Sequence, residues 1–337
     1  MSHKSLFISV RDYKPQYLKE ALEDLRIYHR GDDHDRIINL VLTGVQGRAG
    51  FGFNSNMDII RPYLPGGDKK ACDNVFIGVR PEGIFKTDYS LPSYQQRSPY
   101  AAGTLDASYR WKQLTEQRQT WEQVSERYPD LTWHAYIDYE AVLEWWVNSD
   151  IANAYKAYLI QSVKDAGDRA VLWSPSFWAD FHHTGSGTKD LIAVNIQKVF
   201  RDVGHNRMWL HLQDKLGSNV PGVTTEDAIG WYNLLKNCGY KFASLAINME
   251  LFNLDDYSSV TEAVRLEREV KYAAAGVPLG AAWSMRYWMK GHEHPTPEAQ
   301  PDETVRSPLI PSPPNEVTAK EAVRQAIAIL EKVEAVL

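Results

Sequence analysis

Short apolar segments recur at regular intervals along the second half of the chain. They lie at residues 170–174, 208–212, 242–247 and 279–283. Each follows a helix-like segment that ends in a glycine, and these glycines are Gly167, Gly204, Gly239 and Gly276. A glycine just past a helix end suits the left-handed conformation of a C-terminal cap. The pattern therefore predicts repeated units of one helix and one strand.

The first half shows the same alternation less regularly. Strands are predicted at residues 6–10, 37–43, 75–79 and 133–137, and helices at residues 15–29, 56–63 and 105–126. The periodic apolar positions of residues 317–337 predict a closing helix. Eight strands alternating with eight helices predict an α/β fold, a (β/α)8 TIM barrel that occupies residues 1–337 as a single domain. A doubly wound open sheet is the alternative, but the first strand lacks the glycine-rich phosphate turn of that fold.

Helix starts and long loops refine this prediction. Ser259 with Glu262, and Thr318 with Glu321, form capping-box patterns that predict the first turns of the last two helices. Long connections are predicted after strands 2, 3 and 8, at residues 46–55, 81–104 and 290–314. Loops that follow the strands of a (β/α)8 barrel surround its functional site.

The composition limits the classes of partner. Hydrophobic residues make up 44% and charged residues 24% of the chain, as in an ordinary soluble protein. A net charge of −6 without a basic run argues against nucleic acid. The first apolar segment is too short for a signal peptide and no segment could span a membrane, so a cytoplasmic protein without a membrane partner is expected.

Two residue types add to this picture. Cys72 and Cys238 cannot form a disulfide framework and are expected to be free thiols. The eleven tryptophans and eighteen tyrosines can pack in the core or stack against the apolar faces of sugar rings.

Alternation along the predicted strands identifies polar side chains that point into the barrel. Large aliphatic residues mostly face the helices, so Ala135 and Ile137 on strand 4 point outward. The same rule points these residues inward near the C-terminal strand ends: Arg11, Thr43, Arg80, Tyr136, Asp138, Glu140, Gln213, Asn248, Glu250, Ser284 and Arg286. Such a ring is either a structural network at the rim or a pocket with carboxylates of different pKa, as glycoside hydrolysis requires.

Glu140 and Glu250 stand at the ends of predicted strands 4 and 7. This arrangement resembles the large clan of retaining (β/α)8 glycoside hydrolases, in which the strand-4 glutamate is the acid/base and the strand-7 glutamate the nucleophile. Over strands 4 to 8 the chain is also similar to uncharacterised bacterial barrels assigned to the glycoside hydrolases, which carry a Q-D-x-x-G turn and an N-x-E-x-F segment. Here these motifs are QDKLG at residues 213–217 and NMELF at residues 248–252.

One difference from the clan leaves the identity of the catalytic acid undecided. The clan usually has asparagine immediately before its acid/base glutamate, whereas Tyr139 precedes Glu140 here. Asp138 could therefore be the acid, with Glu140 binding substrate.

The resemblance implies a retaining glycoside hydrolase that acts on a polysaccharide or its oligosaccharides and needs no cofactor. Glu250 is then the nucleophile, and Glu140 or Asp138 the acid. The residues expected to bind or orient the carbohydrate are Arg11, Arg80, Tyr136, Trp178, Gln213, Asp214, Asn248, Trp283, Arg286 and Tyr287.

Two other classes stay open from the sequence. One is a barrel that binds carbohydrate without turning it over. The other is a metal-dependent hydrolase, which the histidines at 182–183 and the pair His292 and His294 suggest. Metal-dependent amidohydrolase barrels carry a His-x-His motif on strand 1, where this chain has Ser9-Val10-Arg11, so no metal is expected.

Overall fold

The computed structural model describes most of the barrel predicted from the sequence. The described residues are 5–10, 13, 15–30, 39–48, 51–79, 107–139, 142–177, 180–204, 206–217, 222–253 and 258–284. The chain divides into two compact units, Met1–Pro297 and Glu298–Leu337, and all described residues belong to the first. The predicted loops at 81–104 and 290–314 and the closing helix at 317–337 lie outside the described residues. A single domain over residues 1–337 stays a prediction.

Eight parallel strands form a nearly closed barrel in chain order. They are β1 (Ser5–Ser9), β2 (Asn39–Thr43), β3 (Asn74–Gly78), β4 (His134–Ile137), β5 (Val171–Trp173), β6 (Met208–Gln213), β7 (Ser244–Asn248) and β8 (Ala281–Ala282). The last strand returns to the first, where Ser5 is paired with Ala281. Isolated bridges join β7 to the β8 segment, Ile247 to Leu279 and Glu250 to Trp283. The predicted α/β TIM barrel is confirmed.

Seven α-helices alternate with these strands in the described part of the chain. They are α1 (Pro15–Arg30), α2 (Phe53–Ile60), α3 (Ala107–Arg127), α4 (Ser149–Ala166), α5 (Ser186–Val203), α6 (Thr225–Asn237) and α7 (Glu262–Ala274). The 3-10 helices Arg61–Tyr63 and Leu143–Val147 and a short antiparallel pair, Gly47–Arg48 with Phe51–Gly52, complete the elements. None of the described helices is both long enough and apolar enough to cross a membrane.

Local capping residues determine where the helices begin and end. The four glycines predicted to end helices all have positive φ, between 62° and 83°, and Gly204 adopts the left-handed cap conformation in full. Thr224 and Asp227 form a complete capping box at the start of α6. The capping box predicted at Ser259 is wrong, because the side chain of Thr261 caps α7 by accepting from Val264 N. Ser259 and Thr261 both carry hydroxyl groups and lie within one turn of the start of α7, so the sequence alone does not show which of them is the cap.

Two apolar clusters lie on opposite sides of the barrel strands. The inner cluster has the buried members Phe7, Val41, Phe76, Tyr136, Leu172 and Ala281. The outer cluster, between strands and helices, includes Ala135, Ile137, Leu210, Leu212 and Ile247. The outward parity predicted for these residues of β4, β6 and β7 is therefore confirmed.

The parity predicted for strand 8 is wrong. Ala281 belongs to the inner cluster and Trp283 packs against it, whereas Ala282 belongs to the outer cluster. The prediction had assigned the even-numbered positions, Ser284 and Arg286, to the interior. The strand consists of two alanines, so it carries no large aliphatic side chain to mark the outer face.

Both cysteines are free, as predicted, and both are buried. Many aromatic residues contribute to the core: Trp121, Trp133, Trp146, Trp173 and Trp231 are each at most 3% exposed. For these tryptophans the core-packing interpretation is confirmed.

Candidate active site

The ends of β6 and β7 bring two carboxylates together in the interior of the protein. Asp214 directly follows β6 and is fully buried, and Glu250 lies two residues beyond β7 with only 2% of its surface exposed. Asp214 N donates to Asn248 O at 3.0 Å, which joins the two strand ends. Since ionised carboxylates are costly to bury, the surrounding groups must compensate for this arrangement.

Asp214 is saturated by donors from the protein. Its Oδ1 accepts from Glu250 N at 3.0 Å and from Leu216 N at 3.3 Å, and its Oδ2 accepts from Tyr272 OH at 3.1 Å. Burial raises the pKa of Asp214 to about 6, against the attraction of Arg268 and with a contribution from the charge of Glu250. Burial also raises the pKa of Tyr272, and the Asp214 carboxyl adds to the effect. Protein donors therefore contact both carboxyl oxygens of Asp214, and its contact with sugar hydroxyls stays a prediction.

Glu250 is held at its backbone and at its side chain. Arg268 on α7 donates from Nη1 to Glu250 O at 2.8 Å. Lys215 Nζ lies 3.4 Å from Glu250 Oε1, and the two side chains are 8% and 3% exposed. The same ammonium group donates to Gln213 Oε1 at 3.3 Å. The carboxylate at the end of β7 therefore has a buried cationic partner from the turn after β6.

The glycine of the QDKLG turn is required by close packing against Glu250. A Cβ atom on Gly217 would lie 2.5 Å from Phe252 O and 2.8 Å from Glu250 Cβ. Such distances are too short for carbon, so any other residue would displace the turn or the glutamate. The motif found in the sequence thus has a physical role at this carboxylate.

Asn248 and Gln213 connect the neighbouring strand ends. Asn248 Nδ2 donates to Ser174 Oγ at 2.9 Å, and its Oδ1 accepts from Ala281 N at 2.7 Å. Gln213 Nε2 donates to Ser174 O at 2.8 Å. Asn248 is 1% exposed, whereas Gln213 is half-buried. This network fixes the rim of the barrel from β5 to β8.

The end of β4 carries Asp138, which is half-buried. The next residue, Tyr139, is fully buried in the outer cluster, where its ring stacks on Tyr158 with centroids 4.4 Å apart. Trp173 Nε1 donates to Tyr139 O at 2.8 Å. Tyr139 therefore acts as a packing residue at the position where the resembled clan has asparagine.

Aromatic side chains line the interior below these polar groups. Phe7 contacts Trp283 with ring centroids 4.8 Å apart and Tyr136 with centroids 5.3 Å apart. Tyr136 is 3% exposed, and Trp283 is half-buried. Of these predicted binding residues, Trp283 retains more accessible surface than Tyr136.

The remaining predicted site residues lie outside the described part of the chain. They are Arg11, Arg80, Glu140, Trp178, Arg286 and Tyr287. Lys215, Arg268 and Tyr272 also belong to the site and were not predicted from the sequence. Lys215 stands inside the QDKLG motif and could have been noticed there, whereas Arg268 and Tyr272 reach the site only through the packing of α7.

The histidine pair after β5 interacts locally. The His183 ring contacts the Asp180 carboxylate, and this contact raises the pKa of His183. Within the described ranges, no three histidine, cysteine, aspartate or glutamate side chains are grouped so that they could hold a metal ion. His292 and His294 fall outside those ranges.

Comparison with known proteins finds a likeness in fold alone. No protein-family profile matches the sequence, and no curated protein matches it. One solved structure of similar fold is the "putative alpha-L-fucosidase" of Bacteroides thetaiotaomicron, with a TM-score of 0.54 and 12% sequence identity. The alignment covers 84% of this chain and 87% of that one. At this identity the likeness shows the shared fold.

Substitution of Asp214 by asparagine should change how stability depends on pH. The folded pKa of about 6 lies above the ordinary value of 3.8, so the Asp214 carboxyl favours folding below about pH 4. This contribution is lost as the pH rises through 6. The unfolding free energy of the wild type, relative to D214N, is therefore expected to fall by about 2 kcal/mol between pH 4 and pH 7. Urea unfolding of both proteins at several pH values measures this change. If the difference in unfolding free energy between them did not vary with pH, the raised pKa of Asp214 would be contradicted.

Proposed function

We propose that this barrel is a retaining glycoside hydrolase with Glu250 as its nucleophile. The observation that carries the proposal is the environment of Glu250, a residue at the end of β7 that is only 2% exposed. Its backbone is held by Asp214 and Arg268, and its side chain is paired with Lys215. A fixed carboxylate with reduced hydration suits attack on an anomeric carbon. The similar fold of a protein described as a fucosidase supports the same class of reaction.

The reaction follows from the roles of two carboxyl groups. A carboxylate oxygen of Glu250 forms a bond to the anomeric carbon while the bond to the leaving-group oxygen breaks. Glu140, the proposed acid, transfers its proton to that oxygen. The resulting carboxylate then takes a proton from water as the water attacks the same carbon, which releases the sugar and restores both groups. Asp138, on the same strand, is the alternative acid.

The proposed substrate is a polysaccharide or an oligosaccharide. Among the described residues, Gln213 and Trp283 keep accessible surface and suit contact with hydroxyl groups and a sugar face, respectively. Asp214 and Asn248 are assigned to positioning because protein partners occupy them. Substrate contacts from the rest of the chain are proposed for Arg11, Arg80, Trp178, Arg286 and Tyr287. A panel of glycans and aryl glycosides, including an α-L-fucoside, tests the proposal directly.

Glu140→Gln and Glu250→Gln should each lower kcat by at least about a hundredfold, because an amide keeps the shape but neither attacks nor donates a proton. Rates on the substrate found in the panel measure the effect. Glu267→Gln is the matched control, since Glu267 is exposed on α7 and its side chain pairs with Lys271. Near-normal rates in both active-site variants would contradict the assignment. Binding of glycans without turnover by the wild type would favour the non-catalytic alternative.

The reaction should proceed with net retention at the anomeric carbon. Retaining enzymes hold their carboxyl groups about 5–5.5 Å apart, whereas inverting enzymes need roughly 6.5–9.5 Å to seat a water molecule. Glu140 and Glu250 share the inward parity predicted for their strands, which favours the shorter separation. Proton NMR of the first-formed anomer decides the matter. An inverted product would exclude the Glu140–Glu250 pairing and would favour Asp138 as the acid.

A further inference from the structure

Lys215 adopts a backbone conformation that L-residues other than glycine rarely take. Its φ is 56°, and among the described residues it is the one non-glycine residue with positive φ. The left-handed conformation costs a residue with a Cβ atom roughly 1–2 kcal/mol. Glycine occupies the positive-φ positions at the helix ends, including Gly204 and Gly276. A lysine at such a position needs a compensating interaction of its side chain.

The compensating interaction is with Glu250. The ammonium group lies between Glu250 Oε1, at 3.4 Å, and Gln213 Oε1, at 3.3 Å. The lysine side chain is only 8% exposed, so water cannot replace these oxygens. Removal of one member of a buried ion pair is costly, because the other member loses a charge that offset its own.

The groups around Glu250 contact different parts of this residue. Asp214 Oδ1 accepts from its peptide N–H, and Arg268 donates to its peptide oxygen. Both contacts act on the backbone of the strand end. Lys215 reaches the side-chain oxygen from the turn after β6. It can therefore set the orientation of the carboxylate, which the backbone contacts cannot do.

We propose that Lys215 is a positioning residue for the nucleophile, held in a left-handed turn so that its ammonium group fixes one oxygen of Glu250. The proposal rests on the function proposed above for Glu250. It assigns to Lys215 a role in turnover in addition to any role in the folding of the turn.

The kinetic test compares Lys215→Met with Lys215→Gly. Methionine keeps the length of the side chain without its charge, and glycine removes the side chain while it relieves the backbone. Both should lower kcat by at least about tenfold while KM changes by less than about threefold, since misplacement of a reacting group costs rate more than binding. Lys271→Met is the control, because Lys271 is 40% exposed and pairs with surface glutamates. A loss of kcat below tenfold in either Lys215 variant overturns the proposal.

A second measurement does not depend on turnover. Lys215→Met should lower the Tm, because the buried Glu250 carboxylate loses the attraction of a buried cation. In the Lys215→Met background, Glu250→Gln should raise the Tm again, because it removes the negative charge that the lysine had offset. Equal effects of Glu250→Gln in the wild-type and variant backgrounds would show no coupling and would overturn the proposal. If the wild type turns over no glycoside, the proposed function fails, while this cycle still decides whether Lys215 holds Glu250.

Discussion

A carboxylate that is removed from water must be compensated by its surroundings, and the upper ends of β6 and β7 satisfy this requirement for Glu250. Lys215, in the turn after β6, is the buried cationic partner of this carboxylate. The Asp214 carboxyl from the same turn and Arg268 from α7 hold the backbone of Glu250, Tyr272 from α7 donates to Asp214, and Gly217 leaves the space that the glutamate occupies. The position of α7 against the barrel is therefore linked to the chemistry of the site, since Arg268 contacts the end of β7 and Tyr272 contacts the end of β6.

The rest of the barrel provides a rigid support for this carboxylate. The inner cluster, in which Phe7 contacts Tyr136 and Trp283, fills the space below the polar rim. At β4, the packing of Tyr139 against Tyr158 and its hydrogen bond with Trp173 fix the strand end that carries Asp138. A reacting group held on a strand end is placed more accurately than one on a loop, which suits the separation that a pair of carboxyl groups must keep.

Much of the fold could be predicted because its signals are local. Strand parity on β4, β6 and β7 and the glycines at helix ends depend on neighbouring residues, and these predictions are confirmed. Strand 8 could not be oriented, since two alanines carry no such signal. At the site, Glu250 was predicted from its strand position. The contacts of Arg268 and Tyr272 could not be predicted, because they depend on how a helix packs against the barrel. The left-handed backbone of Lys215 could not be predicted either, because lysine rarely adopts this conformation.

The central claim is that Glu250 attacks the sugar, and trapping of the glycosyl-enzyme tests it most directly. A 2-deoxy-2-fluoro glycoside of the accepted sugar with a good leaving group slows the second step and lets the covalent intermediate accumulate. Peptide mass mapping of the inactivated protein then locates the label. The account predicts one sugar per chain on the peptide that contains Glu250, and no label in Glu250→Gln. A label on Asp138 or Glu140, or steady turnover without any covalent adduct, would contradict it.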